Sequence, residues 1–166
     1  MTFLDRVFQA LNAASARFVV VGGVAVVLHG HARFTKDLDL ILDFEPAALR
    51  RAIEALVSLG LRPMAPVDPA DFARPEVRRQ WAAEKGMVVF SLRDWDNPLH
   101  VVDLFIEHPG DFEVMWQRSS VMQVAGGDVR VAAIEDLIAL KRAADRDQDR
   151  LDIARLEEIA QQRRES

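Results

Sequence analysis

Three aspartates carry the clearest chemical signal in this chain of 166 residues. Asp37 and Asp39 stand two residues apart in "KDLDLILD", where charge alternates with leucine at the period of a β-strand. Two carboxylates at this spacing share one face of the strand and repel each other unless a cation or solvent offsets their charge. The pair therefore fits either a Mg²⁺ site for phosphoryl transfer or the solvated acidic face of an edge strand.

The third aspartate, Asp103, lies in the middle of the apolar stretch "LHVVDLFI". A lone charge among buried apolar residues is costly unless it has a partner or a metal ion. We expect this strand to lie beside the strand of Asp37 and Asp39, which would complete a cluster of three carboxylates.

Gly22 and Gly23 end the β-branched stretch "RFVVVGG" and precede the apolar "VAVVLHGH". Glycines at a strand-to-helix junction let backbone N–H groups approach a phosphate, and the N-terminus of the helix adds partial positive charge. The same glycine pair also serves as an ordinary turn, and the sequence leaves both interpretations open.

Hydrophobic periodicity predicts alternating helices and strands around these residues. Strands are expected at "RFVVVGG", "KDLDLILD", "MVVFSLRD" and "LHVVDLFI", with a strand pair in "VMQVAGGDVRVA". Helices are expected over the first dozen residues, in "VAVVLHGH" up to about Gly30, from Pro46 to just before Gly60, and twice within residues 134–164. The proline-rich segment from Leu61 to Lys85 is expected to be mostly loop, with a short helix around Val77 to Ala83.

Composition limits the classes of function. The chain has no cysteine, which excludes thiol catalysis and cysteine-bound zinc, and its net charge of −5 disfavours broad coating of nucleic acid. No stretch resembles a signal peptide or approaches the length of a membrane span, so we expect no membrane partner and a cytoplasmic location. Residues 1–166 are interpreted as one domain with a helical C-terminal part at about 134–164.

The stretch "GGVAVVLHGHARFTKDLDLIL" resembles the signature of the DNA polymerase β-type nucleotidyltransferase superfamily. Its fuller form, R-x-T-x-D-L-D-L, is most similar to small bacterial nucleotidyltransferases linked to the AbiEii type of toxin, and "LIALKRAADRDQDRLDI" resembles their C-terminal part. The resemblance implies a minimal nucleotidyltransferase fold of the α/β (α+β) class. Its sheet would be mixed, with helices on one face and a helical C-terminal part.

The resemblance also implies roles for matching residues. Gly22 and Gly23 would hold a nucleoside triphosphate, while Asp37 and Asp39 would bind two Mg²⁺ ions. Asp103 would bind one of these ions and help to activate the attacking hydroxyl group. Relatives commonly have Gly-Ser at the glycine pair, so Gly23 leaves only backbone contacts to the phosphate.

Three further residues are candidates for binding the nucleotide. Arg33 and Thr35 precede the carboxylates and could contact phosphate or acceptor, and Lys141 is the helical cation best placed to reach the phosphates. Each has a simpler explanation: Arg33 as a partner of the acidic strand, Thr35 as the start of that strand, and Lys141 as a solvated helix residue.

The other polar and aromatic residues are expected to have structural roles, with one tryptophan as the exception. We expect Asp149 and Asp152 to form ion pairs at helical spacing with neighbouring arginines. His29 and His31 lack nearby ligands for zinc. Trp95 is the tryptophan best placed to touch a base or an acceptor.

The function that follows is transfer of a nucleoside monophosphate from a triphosphate to a hydroxyl group, with release of pyrophosphate. The expected acceptor is RNA or protein, within a toxin–antitoxin system that would include a cognate antitoxin or toxin protein. Two alternatives stay open, namely a transferase for small antibiotic-like compounds and a non-catalytic module that binds a nucleotide or a partner. An enclosed apolar pocket would favour a small acceptor, and a misplaced Asp103 would favour the non-catalytic module.

Overall fold

A seven-stranded mixed sheet forms the centre of the computed structural model, which describes residues 1–166. The strands are β1 (Phe18–Val21), β2 (Asp37–Leu42), β3 (Leu61–Pro63), β4 (Val89–Asp94), β5 (Asn97–Phe105), β6 (Ser120–Val124) and β7 (Gly127–Val131). Their order across the sheet is β3-β4-β5-β2-β1-β7-β6. The pairs β2–β5 and β1–β7 are parallel, and the other neighbours are antiparallel.

Seven helices accompany the sheet. They are α1 (Phe3–Ala13), α2 (Gly22–Leu28), α3 (Pro46–Ser58), α4 (Pro75–Lys85), α5 (Phe112–Arg118), α6 (Ile134–Ala144) and α7 (Asp147–Glu165). None of them is long and apolar enough to cross a bilayer. The two last helices form the expected helical C-terminal part, so the mixed α/β fold inferred from sequence is confirmed.

The strand that carries the first two aspartates lies in the interior of the sheet. β2 pairs with β1 on one side and with β5 on the other. Its leucines, Leu38, Leu40 and Leu42, are buried in the main hydrophobic core, which also takes in residues of α1 and α3. The alternative of a solvated edge strand is therefore wrong, because both edges of β2 are hydrogen-bonded.

The segment between Leu61 and Lys85 is more regular than the sequence suggested. It contains β3, a 3₁₀ helix over Pro69–Ala73 and the full length of α4. Pro69 and Pro75 each stand in the first turn of a helix, where the missing N–H group costs no hydrogen bond. These prolines start helices rather than break them, so the expected short helix is in fact eleven residues long.

The helix α5 was not predicted from the sequence. α5 begins after Asp111, whose carboxylate accepts a hydrogen bond from the Val114 N–H, and it buries Phe112 and Met115. Seven residues give too few turns for a periodic pattern to stand out in the sequence.

Candidate active site

The strand register brings the second and third aspartates side by side. In the parallel pair β2–β5, Asp39 is the Cα partner of Asp103, and in the antiparallel pair β1–β2 it is the partner of Val21. Residues in register on neighbouring strands share one face of the sheet, and Asp37 shares it too because it stands two residues from Asp39. The sheet thus carries all three carboxylates on one face, next to the end of β1.

The glycine that follows β1 is required by this arrangement. Gly22 has φ +69°, a left-handed conformation that other residues adopt only under strain. A Cβ atom at this position would overlap the carboxylate of Asp39. The backbone of Gly22 therefore lies directly against the acidic cluster.

The second glycine is confined by the loop before β2. A Cβ atom at Gly23 would overlap the Thr35 hydroxyl and come within 2.8 Å of a guanidinium nitrogen of Arg33. A serine in this place would meet the same atoms. The glycine that departs from the common Gly-Ser pattern thus matches the packing of this loop.

Asp39 and Asp103 are buried enough to disfavour their own ionisation. Burial, followed by the charges of Asp103 and Asp37, raises the pKa of Asp39 to about 7. Burial also raises the pKa of Asp103, although the Ser91 hydroxyl opposes this by donating a 2.6 Å hydrogen bond to Asp103 Oδ1. Such a cluster gains most from a cation that neutralises it.

The donor set fits a hard divalent cation in its chemistry. Three carboxylates supply only oxygen ligands, which Mg²⁺ prefers, and Asp37 Oδ1 is buried without any hydrogen-bond partner. In the conformation seen, no three acidic or histidine side chains already surround a common point as metal ligands. A bound ion would therefore draw the carboxylates closer together.

A buried ion network stands beside the carboxylates. Lys141 of α6 is 5% exposed, and its Nζ lies 2.9 Å from Asp152 Oδ2 and 3.5 Å from Asp149 Oδ1, both on α7. Arg33 donates to the same Asp152 oxygen over 2.9 Å. Burial disfavours the charge of Asp152, but hydrogen bonds from Lys141, Gln148 and Arg33 outweigh it and hold the pKa below its usual range.

A cavity of about 810 Å³ opens over the site. Asp39, Asp103 and Gly22 line it, together with the cationic residues Lys141 and Arg146. Much of the remaining wall is apolar, formed by Met87, Val88, Val89, Phe105, Leu137 and Leu140. The cavity is large enough for a nucleotide or a drug-sized molecule, since ligand pockets span about 300–1,000 Å³.

Comparison with known protein families gives a match over nearly the whole chain. The family described as "Nucleotidyl transferase AbiEii toxin, Type IV TA system" matches residues 3–155. The chain belongs to the AbiEii nucleotidyltransferase family. No match was found among curated protein sequences.

Solved structures with the same fold include antibiotic-modifying enzymes. The lincosamide antibiotic adenylyltransferase LnuA, bound to lincomycin, aligns with a TM-score of 0.63 at 16% identity, over 95% of this chain and 96% of its own. The resistance factor ANT(2'')-Ia aligns with a TM-score of 0.58 at 17% identity, over 97% of this chain and 82% of its own. A nucleotidyltransferase-like protein from Paracoccidioides brasiliensis gives 0.57 at 14% identity, over 92% and 72%. At such identities, these structures show that the AbiEii-family chain shares the nucleotidyltransferase fold.

Within this AbiEii-family fold, most of the residues singled out from the sequence come together. Gly22, Asp39, Asp103 and Lys141 line one cavity. Asp37 lies on the same strand face but does not line the cavity. The interpretation of Lys141 as a solvated helix residue is wrong, because the side chain is buried between two carboxylates.

Arg33 has different partners from those expected, whereas Thr35 lies where it was expected. Arg33 does not pair with the acidic strand; its guanidinium donates to Asp152 and to the carbonyl oxygen of Phe34. Thr35 precedes β2, as expected, and its hydroxyl also packs against Gly23.

The sequence interpretation of α7 was only partly correct. Arg146 pairs with Asp149 at 2.8 Å, as helical spacing suggested. Asp152, however, is fully buried, and its charged partners are Lys141 and Arg33 rather than an arginine of its own helix. The three-residue spacing of Asp149 and Asp152, which places them on one face of α7, was the available signal.

His29 and the tryptophans occupy distinct environments. His29 is buried and donates from Nε2 to the Ala132 carbonyl over 2.8 Å, and burial lowers its pKa. Trp81 belongs to the core and Trp116 packs against it, whereas Trp95 is 57% exposed.

Proposed function

We propose that this protein is a Mg²⁺-dependent nucleotidyltransferase that transfers a nucleoside monophosphate from a triphosphate to a hydroxyl group of an RNA or protein acceptor. The observation that carries the proposal is the pairing of Asp39 with Asp103 on adjacent inner strands, directly against the backbone of Gly22. Membership of the AbiEii family and the shared fold support a transferase of this type. We expect it to act in the cytoplasm, where nucleoside triphosphates are supplied.

In this proposal, Asp37, Asp39 and Asp103 hold the Mg²⁺ ions. Two observations support this assignment: Asp37 Oδ1 is buried without a hydrogen-bond partner, and the pKa values of Asp39 and Asp103 are raised. When bound, Mg²⁺ would supply positive charge that stabilises the phosphates and the attacking oxygen. The Ser91 hydroxyl holds Asp103 in place through its hydrogen bond to Oδ1.

The bond changes of the proposed reaction are those of an in-line displacement. The acceptor oxygen forms a bond to the α-phosphorus as the bond from that phosphorus to the bridging oxygen breaks, and pyrophosphate leaves. The proton of the acceptor hydroxyl passes to the carboxylate of Asp103. Much of the rate enhancement then comes from positioning and from charge neutralisation around the phosphates.

The triphosphate is assigned to the junction of β1 and α2. Gly22 and Gly23 form the first turn of α2, where backbone N–H groups are free of intrahelical partners. Lys141 lines the same cavity as Gly22 and supplies a buried positive charge. Arg33 and Thr35 pack against Gly23 and are assigned to the same phosphate-binding loop.

A second candidate function has support from the cavity itself. Its apolar wall, which includes Phe105 and Leu137, matches the environment expected for a small hydroxylated acceptor. The fold shared with LnuA and ANT(2'')-Ia is compatible with that class of substrate. The non-catalytic alternative loses support, because Asp103 lies beside Asp39 as catalysis requires.

A labelling assay tests the proposal and separates the acceptor classes. Purified protein is incubated with Mg²⁺, each α-labelled nucleoside triphosphate in turn, and fractions of cell RNA, protein and small molecules. Label in one fraction, absent with Asp39→Asn and Asp103→Asn but retained with Glu54→Gln, identifies the acceptor class. Glu54 is an exposed carboxylate on α3 without an ion pair, so it controls for loss of charge. If no fraction is labelled and no Mg²⁺-dependent nucleotide binding is found, the transferase proposal is wrong.

A further inference from the structure

The end of α7 is joined to the end of α2 by Arg163. Its two terminal nitrogens donate to His29, one to the ring nitrogen Nδ1 over 3.1 Å and the other to the main-chain oxygen over 3.2 Å. Arg163 forms no ion pair, so these bonds are the polar contacts of its side chain within the protein. His29 is the C-cap of α2, and a cation beside the last carbonyl groups of a helix interacts favourably with the helix dipole.

His29 accepts the bond to its ring in one protonation state. The ring is buried, and its Nε2 lies 2.8 Å from the carbonyl oxygen of Ala132, which can only accept a hydrogen bond. Nε2 therefore carries the hydrogen, and Nδ1 is the acceptor that Arg163 requires. Burial and the charge of Arg163 both lower the pKa of His29, which keeps the ring neutral. The contact thus depends on a neutral imidazole with one defined tautomer.

The helix α2 is weakly restrained at its other end. Its N-cap residue, Val21, forms no side-chain capping bond, and the first two residues of the helix are Gly22 and Gly23. A junction of two glycines leaves the backbone permissive and does not by itself fix the direction of the helix that follows. The core holds the buried face of this seven-residue helix, and the bonds at His29 hold its C-terminal end.

α7 contacts the proposed phosphate-binding region at two points. Asp152, in the first half of α7, binds Arg33, which packs against Gly23. Arg163, near the end of α7, binds His29. Asp152 and Arg163 are separated by about three helical turns, so they lie on the same side of α7, roughly 16 Å apart. One helix therefore contacts both the loop beside the start of α2 and the residue at its end.

We propose that Arg163 is a positioning residue for binding of the nucleoside triphosphate, and that it acts through His29 on the helix α2. The inference rests on the proposed transferase function, in which Gly22 and Gly23 hold the triphosphate. By fixing the C-terminal end of α2, Arg163 sets the direction of the free N–H groups in its first turn. Without this contact the helix tilts about the glycine pair, and these N–H groups no longer all reach the phosphates.

The position of Arg163 separates this role from direct contact with a substrate. Arg163 does not line the large cavity, so an effect on the triphosphate has to pass through α2. The family match covers residues 3–155, whereas Arg163 lies in the last turns of α7. The contact with His29 is therefore a feature of this chain beyond the part that matches the family.

Equilibrium binding of a non-hydrolysable triphosphate tests the proposal without an acceptor. The probe is an analogue of each nucleoside triphosphate with methylene in place of the α,β-bridging oxygen, and calorimetry with Mg²⁺ compares the full chain with Arg163→Gln and Arg163→Lys. Arg164→Gln controls for loss of one positive charge, because Arg164 is exposed and donates only to Gln161 of its own helix. Gly60→Ala strains the turn after α3 and controls for a general loss of stability.

The proposed role requires a distinct result from each variant. Arg163→Gln raises the Kd of the analogue about fivefold or more. Arg163→Lys recovers part of the affinity, because an ammonium group can donate to one of the two acceptors on His29. Arg164→Gln and Gly60→Ala bind like the unchanged protein. In the labelling assay, Arg163→Gln raises the KM for the triphosphate and leaves kcat within about twofold, since the carboxylates are untouched.

A double variant tests whether His29 transmits the effect. His29→Asn removes the ring that accepts from Arg163, so Arg163→Gln should lower the affinity less in that background than in the unchanged protein. An undiminished effect would mean that Arg163 acts on the triphosphate by another route, and it would contradict the proposal.

Other results also overturn the proposal. If Arg163→Gln binds the analogue as tightly as the unchanged protein, or if Arg164→Gln or Gly60→Ala weakens binding equally, this contact does not position α2. A loss of kcat with no change in KM would equally contradict it. If the unchanged protein binds no triphosphate analogue with Mg²⁺, the transferase function itself fails, and the inference fails with it. The two failures are distinguishable, because the first appears only in the variants.

Discussion

Asp39 and Asp103 stand opposite each other across β2 and β5, and burial, followed by the charge of Asp103, raises the pKa of Asp39 to about 7. Two inner strands of the sheet thus bring together groups that destabilise each other when both are ionised. Folding alone does not favour such a pair, so the arrangement is best explained by a ligand that supplies positive charge. The stability that the folded protein loses by burying these charges can be measured directly.

The first prediction concerns Asp39→Asn in Mg²⁺-free buffer. A carboxyl group with pKa 3.8 when unfolded and about 7 when folded contributes stability that is present below pH 3.8 and is lost as the pH rises to 7. Each pKa unit corresponds to about 1.4 kcal/mol, so removing the charge should raise the melting temperature at pH 8 by about 4 °C or more. At pH 5 the gain should be smaller. An equal gain at both pH values would show that the burial of this charge is not the cause.

The second prediction concerns the stabilising effect of Mg²⁺. An ion that binds only the folded state at 100 times its Kd adds about 2.7 kcal/mol to the free energy of unfolding. Millimolar Mg²⁺ should therefore raise the melting temperature of the unchanged protein, and Asp37→Asn should remove most of that rise. Glu54→Gln is the matched control and should keep it. A rise that persists in Asp37→Asn would mean that this carboxylate does not bind the ion.

The third prediction compares two glycines with positive φ angles. Gly22→Ala combines a left-handed backbone with overlap on the Asp39 carboxylate, whereas Gly60→Ala has a φ of +91° but open space around its Cβ position. Backbone strain costs about 1–2 kcal/mol in either case. Urea unfolding should show a clearly larger loss for Gly22→Ala, together with loss of transferase activity. Equal losses would mean that the close approach to Asp39 is unimportant.

The fourth prediction concerns the ion network of α7. Asp152→Ala leaves Lys141 without its closest partner, and breaking a buried ion pair costs about 3–5 kcal/mol. Arg155→Ala breaks an exposed pair with Glu158 and should cost less than about 1 kcal/mol. The two free energies of unfolding, measured in urea, should differ accordingly. A small effect at Asp152 would show that Arg33 and Lys141 find other partners.

Local patterns were sufficient to predict much of the fold. The alternation in "KDLDLILD" predicted β2 and the face shared by Asp37 and Asp39, because a strand has a period of two. Pro46 and Gly60 marked the ends of α3 correctly, since the first turn tolerates proline and a positive φ suits glycine. Each of these features depends only on residues close in the sequence.

Features set by distant contacts were harder to predict. The hydrogen bond from Arg33 to Asp152 joins residues that are 119 positions apart, and no spacing in a single sequence predicts such a contact. The inner position of β2 likewise depends on how seven strands are ordered. Pro69 and Pro75 were misread for a local reason, because proline both disrupts a helix interior and favours the first turn.

Because Asp152 lies near the C-terminus, the ion network that it forms with Lys141 and Arg33 is completed late in synthesis. Asp37, Asp39 and Asp103 precede it, so a growing chain carries all three carboxylates before the residue that binds Lys141 and Arg33 has been added. Until α7 emerges from the ribosome, Lys141 lacks its ion-pair partners Asp149 and Asp152, and the loop before β2 lacks its attachment to that helix. A partly synthesised chain thus holds the acidic residues without the ion network beside them.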